Sequence, residues 1–437
     1  MKGGLILLGA TGVAAVCAAA GAAAPRATQT FSATADGYVS AAAPTTTFGR
    51  ARTLRVRARP AMRAYLRFKI ARLQGDVASA TLRVFVTSRS RATLQVRAVA
   101  GRAWSERSLR YRSAPRVGRL VASAAVRRGW RSISVGPLVT REGTVNLALV
   151  ASRGAVSIAS RETRAKPRLL VATAPVLAAA GDIADCASTG DEATAALLQA
   201  MPTATIAALG DLAYESGTPA EFANCYGPSW GRYKARTHPA VGNHEYQTPA
   251  AAGYFGYWGA AAGNPAAGYY SYDLGSWHVV ALNSNCAVVA CSAGSLQETW
   301  LRGDLAAHAA KCTLAYWHHP VFSSTAGTAS AAVRPLFQAL YDAGADVVLT
   351  GHAHNYQRFA PQSPAGAADP ARGIREWVVG TGGAARHLVG APIPNQEVAN
   401  DSTYGVLRLT LLPSGYRWRF VPQAGGVFAD SGSGVCH

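Results

Sequence analysis

Five short motifs carry side chains of types able to bind metal ions: Gly181-Asp182, Gly210-Asp211-Leu212-Ala213-Tyr214, Gly242-Asn243-His244-Glu245, Trp317-His318-His319-Pro320 and Gly351-His352-Ala353-His354. They offer carboxylates (Asp182, Asp211), a phenol (Tyr214), an amide oxygen (Asn243) and imidazoles (His318, His352, His354). Oxygen and nitrogen donors of this kind suit hard to borderline cations such as iron, manganese or zinc rather than thiolate-bound ions. Seven donors are too many for one zinc site with an open position, and natural for two cations that share a carboxylate. Such a pair, about 3.5–4 Å apart, grips a phosphate and makes hydroxide from bound water. Taken singly, each motif also fits a helix cap, a turn or a packed histidine. Their joint occurrence in one order is what points to a metal centre.

Side chains spread from Asp182 to His354 meet only if the fold brings them together. Apolar runs end just before each motif, at 176–181, 206–210, 240–242, 313–317 and 347–351, as buried strands do. Helix-like stretches at 192–200, 296–310 and 331–343 lie between several of them. Alternating strands and helices predict sheets covered by helices, with the loops leaving the strand ends gathered in one crevice.

Read together, the five motifs resemble the calcineurin-like metallophosphoesterases, and most closely their purple acid phosphatase branch, over about 180 residues. That resemblance implies one cation on Asp182, Asp211, Tyr214 and His354, and a second on Asp211, Asn243, His318 and His352, with Asp211 bridging. Most relatives carry a histidine two residues after the first aspartate, where Ala184 stands here. Tyr214, three residues after Asp211, occupies the place of the metal-bound tyrosine of the purple phosphatases and replaces the lost imidazole. Phenolate and carboxylate oxygens favour Fe(III), beside zinc, manganese or Fe(II). Two departures stand out. Gly327 and Thr328 occupy positions where purple phosphatases usually place further histidines, and the fibronectin-like module that often precedes the fold is absent. His319 and Glu245 are candidates for the substrate-facing shell.

The reaction implied is hydrolysis of phosphate monoesters by metal-hydroxide attack, with His244 protonating the leaving oxygen. An imidazole, with an ordinary pKa of about 6.5, suits that task in mildly acidic conditions. The same cation pair also serves a phosphodiesterase or nuclease. A third reading is a polysaccharide- or wall-binding protein whose catalytic unit is inert.

Charge divides the chain. Residues 28–174 hold 28 basic and 5 acidic side chains, a net of +23, whereas residues 175–437 hold 13 and 18, a net of −5. A basic module suits an anionic partner, nucleic acid included, although a solvated Arg-rich surface has the same composition. No interleaving of aromatic and basic residues typical of single-strand binding stands out there. Short alternating runs such as Thr53-Leu54-Arg55-Val56-Arg57 and Ala80-Thr81-Leu82-Arg83-Val84-Phe85-Val86 predict an antiparallel jelly-roll sandwich over 28–174. Ala35-Asp36-Gly37-Tyr38-Val39, Phe48-Gly49, Tyr65-Leu66-Arg67-Phe68, Trp104-Ser105-Glu106 and Ser160-Arg161-Glu162 resemble the DNRLRE-type module, similar to carbohydrate-binding modules. That implies attachment to polysaccharide. The catalytic domain is expected over 175–437.

Residues 1–24 read as an export signal, with an apolar run and the small stretch Ala22-Ala23-Ala24. The expected location is extracellular, with no membrane span in the mature chain. A lipid anchor on Cys17 is the weaker alternative, since Val16 fits that signal poorly. The other six cysteines, Cys186, Cys225, Cys286, Cys291, Cys312 and Cys436, lie in the second unit and favour disulfides. Of the fifteen pairings six cysteines allow, only Cys286 with Cys291 is singled out, as a short loop.

Overall fold

The computed structural model describes residues 28–101, 104–265, 267–308 and 310–437. The expected signal segment and Cys17 lie outside the described residues.

Among the described residues from Thr28 to Ala174 there are twelve strands, every pair antiparallel. Alternation explains both the core and the charge. In Thr53–Arg57, Leu54 and Val56 point inward while Arg55 and Arg57 face solvent. Leu66, Phe68, Leu82, Val84, Leu147 and Leu149 fill the core between the strands. The first strand, Thr28–Ser32, pairs with the last, Arg168–Ala174, which also pairs with Asp76–Val86.

Only Pro175 separates that last strand from Val176–Ala180, the first strand of the second half. Two sheets follow. The first runs in the order Thr237–Ala240, Thr205–Leu209, Val176–Ala180, Gly405–Leu412, Gly415–Pro422, Ser431–Val435, its first three strands parallel. The second runs Tyr270–Leu274, Trp277–Ala281, Cys312–Tyr316, Val347–Thr350, Arg375–Val379, Tyr356–Phe359, Gln396–Asn400, parallel from Trp277–Ala281 to Arg375–Val379. Successive residues of the second sheet enter different cores. Val279, Leu314 and Leu349 pack toward the first sheet, and Val280, Ala315 and Val348 pack against Leu301, Leu336, Phe337 and Leu340 of the helices Leu296–Ala307 and Arg334–Asp342. Strands buried on both faces read as unbroken apolar runs for this reason.

The helices fall near their expected places with shifted ends. The first is Gly190–Gln199. The second stops at Ala307, with His308 as its non-helical C-cap. The third begins at Arg334 after a short 3-10 turn, Ala331–Val333, with Pro335 in its first turn, where a missing N–H costs nothing.

Three disulfides join Cys186 to Cys225, Cys286 to Cys291 and Cys312 to Cys436. The last ties the start of a strand in the second sheet to the residue after the final strand of the first. Asp76 of the sandwich accepts from Arg408 Nη1 and Nη2 at 2.8 and 2.6 Å and from Thr410, fastening the two halves. Among the described residues, no helix is long and apolar enough to cross a membrane.

Candidate metal centre

Each motif sits where a buried strand stops. Asp182 follows Val176–Ala180, Asp211 follows Thr205–Leu209, Asn243 follows Thr237–Ala240, His318 follows Cys312–Tyr316, and His352 and His354 follow Val347–Thr350. Asp182, Asp211 and His352 are non-glycine residues at positive φ, 58°, 50° and 68°. Such conformations cost on the order of 1–3 kcal/mol each and persist only when the surroundings impose them. Here they do: the Asp182 amide donates to the Gly210 carbonyl at 3.1 Å and the His352 amide to Asp182 Oδ2 at 2.8 Å. The glycines of the motifs leave room for this crowding. A Cβ on Gly242 would stand 2.0 Å from Asp211 Oδ1, and one on Gly210 2.7 Å from the His318 ring.

The side chains converge on Asp211. One donor atom each from Asp211, His318 and His352 lie within 4.8 Å of one another, as do those from Asp182, Asp211 and His354. Tyr214 Oη lies 3.1 Å from Asp182 Oδ1, 3.4 Å from Asp211 Oδ2 and 3.0 Å from His354 Nε2. The amide of Tyr214 donates to the Ala184 carbonyl at 2.8 Å, so the alanine that lacks an imidazole holds the phenol in place through its backbone.

Three observations test whether this cluster fits cations. Asp182 and Asp211 are buried, and their ion-pair partners among the described residues are histidines, with no lysine or arginine. Buried carboxylates so placed call for positive charge. Secondly, Asn243 Oδ1 is buried with no hydrogen-bond partner. Thirdly, His318 Nδ1 donates to the Leu209 carbonyl at 2.9 Å, which turns Nε2 toward Asp211 Oδ2 at 2.9 Å without hydrogen-bond geometry. His354 repeats the pattern, Nδ1 donating to the Ala385 carbonyl at 2.5 Å and Nε2 facing Asp182. A backbone carbonyl on the far nitrogen is how ligating imidazoles are oriented. The donors present therefore fit a pair of cations.

Electrostatics agree. Burial disfavours charge on His318, yet Asp211 beside it raises its pKa to about 9, so with no cation present the imidazolium neutralises the carboxylate. Burial likewise opposes ionisation of Asp211, but His318 holds it well below the usual carboxylate range. His352 is pushed down to about 4 by burial and by His318, leaving it neutral, the form that ligates. Burial and then Asp182 and Asp211 push the Tyr214 phenol well above 10. Only strong local positive charge would ionise it.

The remaining predicted residues lie in different settings. His244 is half-buried; its Nδ1 donates to the Glu215 carbonyl at 2.6 Å and its Nε2 stands 3.9 Å from Asp211 Oδ2. His319 packs against His352 with ring centres 4.5 Å apart, its Nδ1 accepting from Ser284 Oγ at 2.8 Å. Burial, with His318 and His352 beside it, pushes His319 down to about 3. Glu245 corrects the expectation of a substrate-facing carboxylate. It is wholly buried, and its two oxygens accept the backbone N–H groups of Asp211, Leu212, Ala213 and Gly242. Its work is to hold the Asp211 loop.

His387 was not anticipated. It is exposed and stacks on His354, ring centres 3.9 Å apart and planes within 5°. The strand Arg375–Val379, which begins with two charged residues, ends in Gly380-Thr381-Gly382-Gly383, and His387 lies beyond that loop with no motif to mark it.

Two family models match the chain, one in each half. Residues 27–173 match the family model for carbohydrate-binding module family 96, and residues 176–356 match that for calcineurin-like phosphoesterase. Purple acid phosphatase 15 of Arabidopsis thaliana is 30% identical over 148 residues, 30% of this chain and 27% of that protein. The chain thus spans about a quarter of that relative's length. The solved purple acid phosphatase PPD1 from yellow lupin (Lupinus luteus) seeds shares the fold with a TM-score of 0.50 at 14% identity, over 85% of this chain and 72% of that one.

Proposed function

Since the chain joins a family 96 carbohydrate-binding module to a calcineurin-like phosphoesterase domain, we propose that it is a secreted, dinuclear-metal hydrolase of phosphate monoesters that attaches to polysaccharide. The observation that carries this reading is the pair of donor groups sharing Asp211. Asp182, Asp211, Tyr214 and His354 would hold one cation, Fe(III), and Asp211, Asn243, His318 and His352 the other, zinc, manganese or Fe(II). Bound there, the pair would polarise the phosphoryl oxygens and lower the pKa of an attacking water.

The chain's own groups do the rest. The carbonyls of Leu209 and Ala385 hold the His318 and His354 rings with Nε2 inward. Glu245 fixes the loop that presents Asp211, so the donors need little rearrangement as the reaction proceeds. His244, with Nδ1 committed to the Glu215 carbonyl, keeps Nε2 free to deliver a proton to the leaving oxygen. Secretion draws support from the three disulfides, which persist in oxidising compartments.

The test is an assay of a phosphate monoester beside a diester, with iron and zinc measured on the same sample. Monoester turnover by a coloured, iron-containing protein is expected, with Tyr214→Phe losing the visible band. A colourless, zinc-only, fully active protein defeats the iron assignment, and diester preference moves the reading to a phosphodiesterase.

A further inference from the structure

His319 shares a motif with the metal donor His318, yet the reaction outlined above gives it no task. Its ring is nonetheless held in one chemical form. Ser284, just past the end of the fully buried strand Trp277–Ala281, accepts through Oγ from the backbone N–H groups of His318 at 3.2 Å and His319 at 3.0 Å. A hydroxyl oxygen has two lone pairs and one proton. With both lone pairs taken, the Ser284 proton goes to His319 Nδ1 at 2.8 Å. A ring nitrogen that accepts carries no hydrogen, so the His319 hydrogen sits on Nε2 and the ring is uncharged.

Ser284 is itself fixed by buried polar contacts. The Gln297 side chain, in the first turn of Leu296–Ala307, pairs with both backbone groups of Asn283: Oε1 accepts the N–H at 2.8 Å and Nε2 donates to the carbonyl at 2.9 Å. Asn283 Nδ2 donates to Tyr246 Oη at 2.8 Å, tying this loop to the one that carries Asn243. The Cys286–Cys291 disulfide closes the far side of the loop. Asn283, Ser284 and Gln297 are all buried, and a satisfied buried polar network specifies one geometry. What it presents is the half-buried His319 ring, whose Nε2 is not sealed in the core and meets no hydrogen-bond partner among the described residues. The ring centre lies 5.1 Å from that of His318 and 4.5 Å from that of His352, beside the second donor group.

We propose that Ser284 locks His319 in the Nε2–H form, and that this N–H donates a hydrogen bond to a phosphoryl oxygen of the substrate. The proposal rests on the phosphoesterase reading above. A cationic side chain at this place would repel the ions that His318 and His352 are proposed to hold, whereas a neutral N–H supplies the contact without that repulsion. His319 thus touches substrate, and Ser284 acts through it as a positioning residue.

The test uses the full-length protein loaded with zinc, which is diamagnetic, with its histidine nitrogens isotopically labelled. Nitrogen–proton correlation spectra should place the His319 hydrogen on Nε2, the signal being identified by its loss in His319→Ala. Ser284→Ala should give a mixture of the two tautomers, and Ser284→Thr should restore the single form. In the same preparations His319→Ala should lower kcat for a phosphate monoester by about 10²-fold and weaken inhibition by inorganic phosphate, with metal content unchanged. His319→Gln, whose amide N–H reaches the place of Nε2, should recover most of that loss, and His319→Asn should not. Should Ser284→Ala fail to fold, the His319 series decides. A hydrogen on Nδ1 in the wild type overturns the proposal, and so does His319→Ala with turnover and phosphate inhibition intact. No phosphate-ester turnover in the wild type defeats the phosphoesterase reading, and the donor role with it, whichever tautomer the spectra show.

Discussion

The two halves handle polar side chains in opposite ways. In the sandwich, alternation along each strand sends arginines outward one at a time, as at Arg55 and Arg57, and they spread over a surface. In the second half the strands Val176–Ala180, Cys312–Tyr316 and Val347–Thr350 are buried at every residue, and the metal-donor motifs stand at strand ends, where Asp182, Tyr214, His318, His352 and His354 come within reach of Asp211. Net charge therefore misleads about where chemistry sits. The half with +23 has its charge dispersed, and the half with −5 concentrates a few buried groups where their fields add.

This contrast breaks most visibly at Asp211. Asp211→Asn should lower kcat/KM by about 10³-fold, because both donor groups use that carboxylate, while the sandwich keeps its Tm. Comparable loss of the sandwich would mean the halves are not distinct. Conversely, Leu66→Ala in the core of the sandwich should cost about 2–5 kcal/mol of stability and leave kcat of the folded protein unchanged. Denaturant titration alongside steady-state kinetics checks both.

A finer cut lies within the second half. His244→Ala should slow esters of poor leaving groups by about 10²-fold and activated aryl esters far less. Equal loss on both rejects its role as proton donor. The smallest effect belongs to the seam between the halves. Burial opposes the charge of Asp76, but the hydrogen bonds from Arg408 and Thr410 hold its pKa below the ordinary 3.8. A depressed carboxylate stabilises the fold above its unfolded pKa and loses that contribution as pH falls through the lowered value. Asp76→Asn should therefore cost less than about 1 kcal/mol near neutrality, with the wild-type and variant Tm curves converging in acid. Curves that diverge in acid would reverse the sign.

What could be read from the sequence follows the same division. Apolar runs closed by Gly-Asp, Gly-Asn or Gly-His announce buried strands and their ends, because both features are local. The strand Gly405–Leu412 joins the first sheet beside Val176–Ala180 by long-range pairing that no local pattern states, and Gly415–Pro422 and Ser431–Val435 follow it as antiparallel neighbours. The Cys186–Cys225 and Cys312–Cys436 bridges were open for the same reason. Glu245 stood in a motif and was read as facing substrate, whereas the loop needed its oxygens for four backbone N–H groups. His387 reaches His354 across 33 positions through a glycine-rich loop, with no motif to single it out.

The most direct test is metal stoichiometry per chain in the purified wild type and in Asp211→Asn. About two ions per chain, falling below one in the variant together with activity, is the expected result. A fully active wild type holding one ion or none, or a variant that keeps both ions and its turnover, would contradict a centre organised around Asp211.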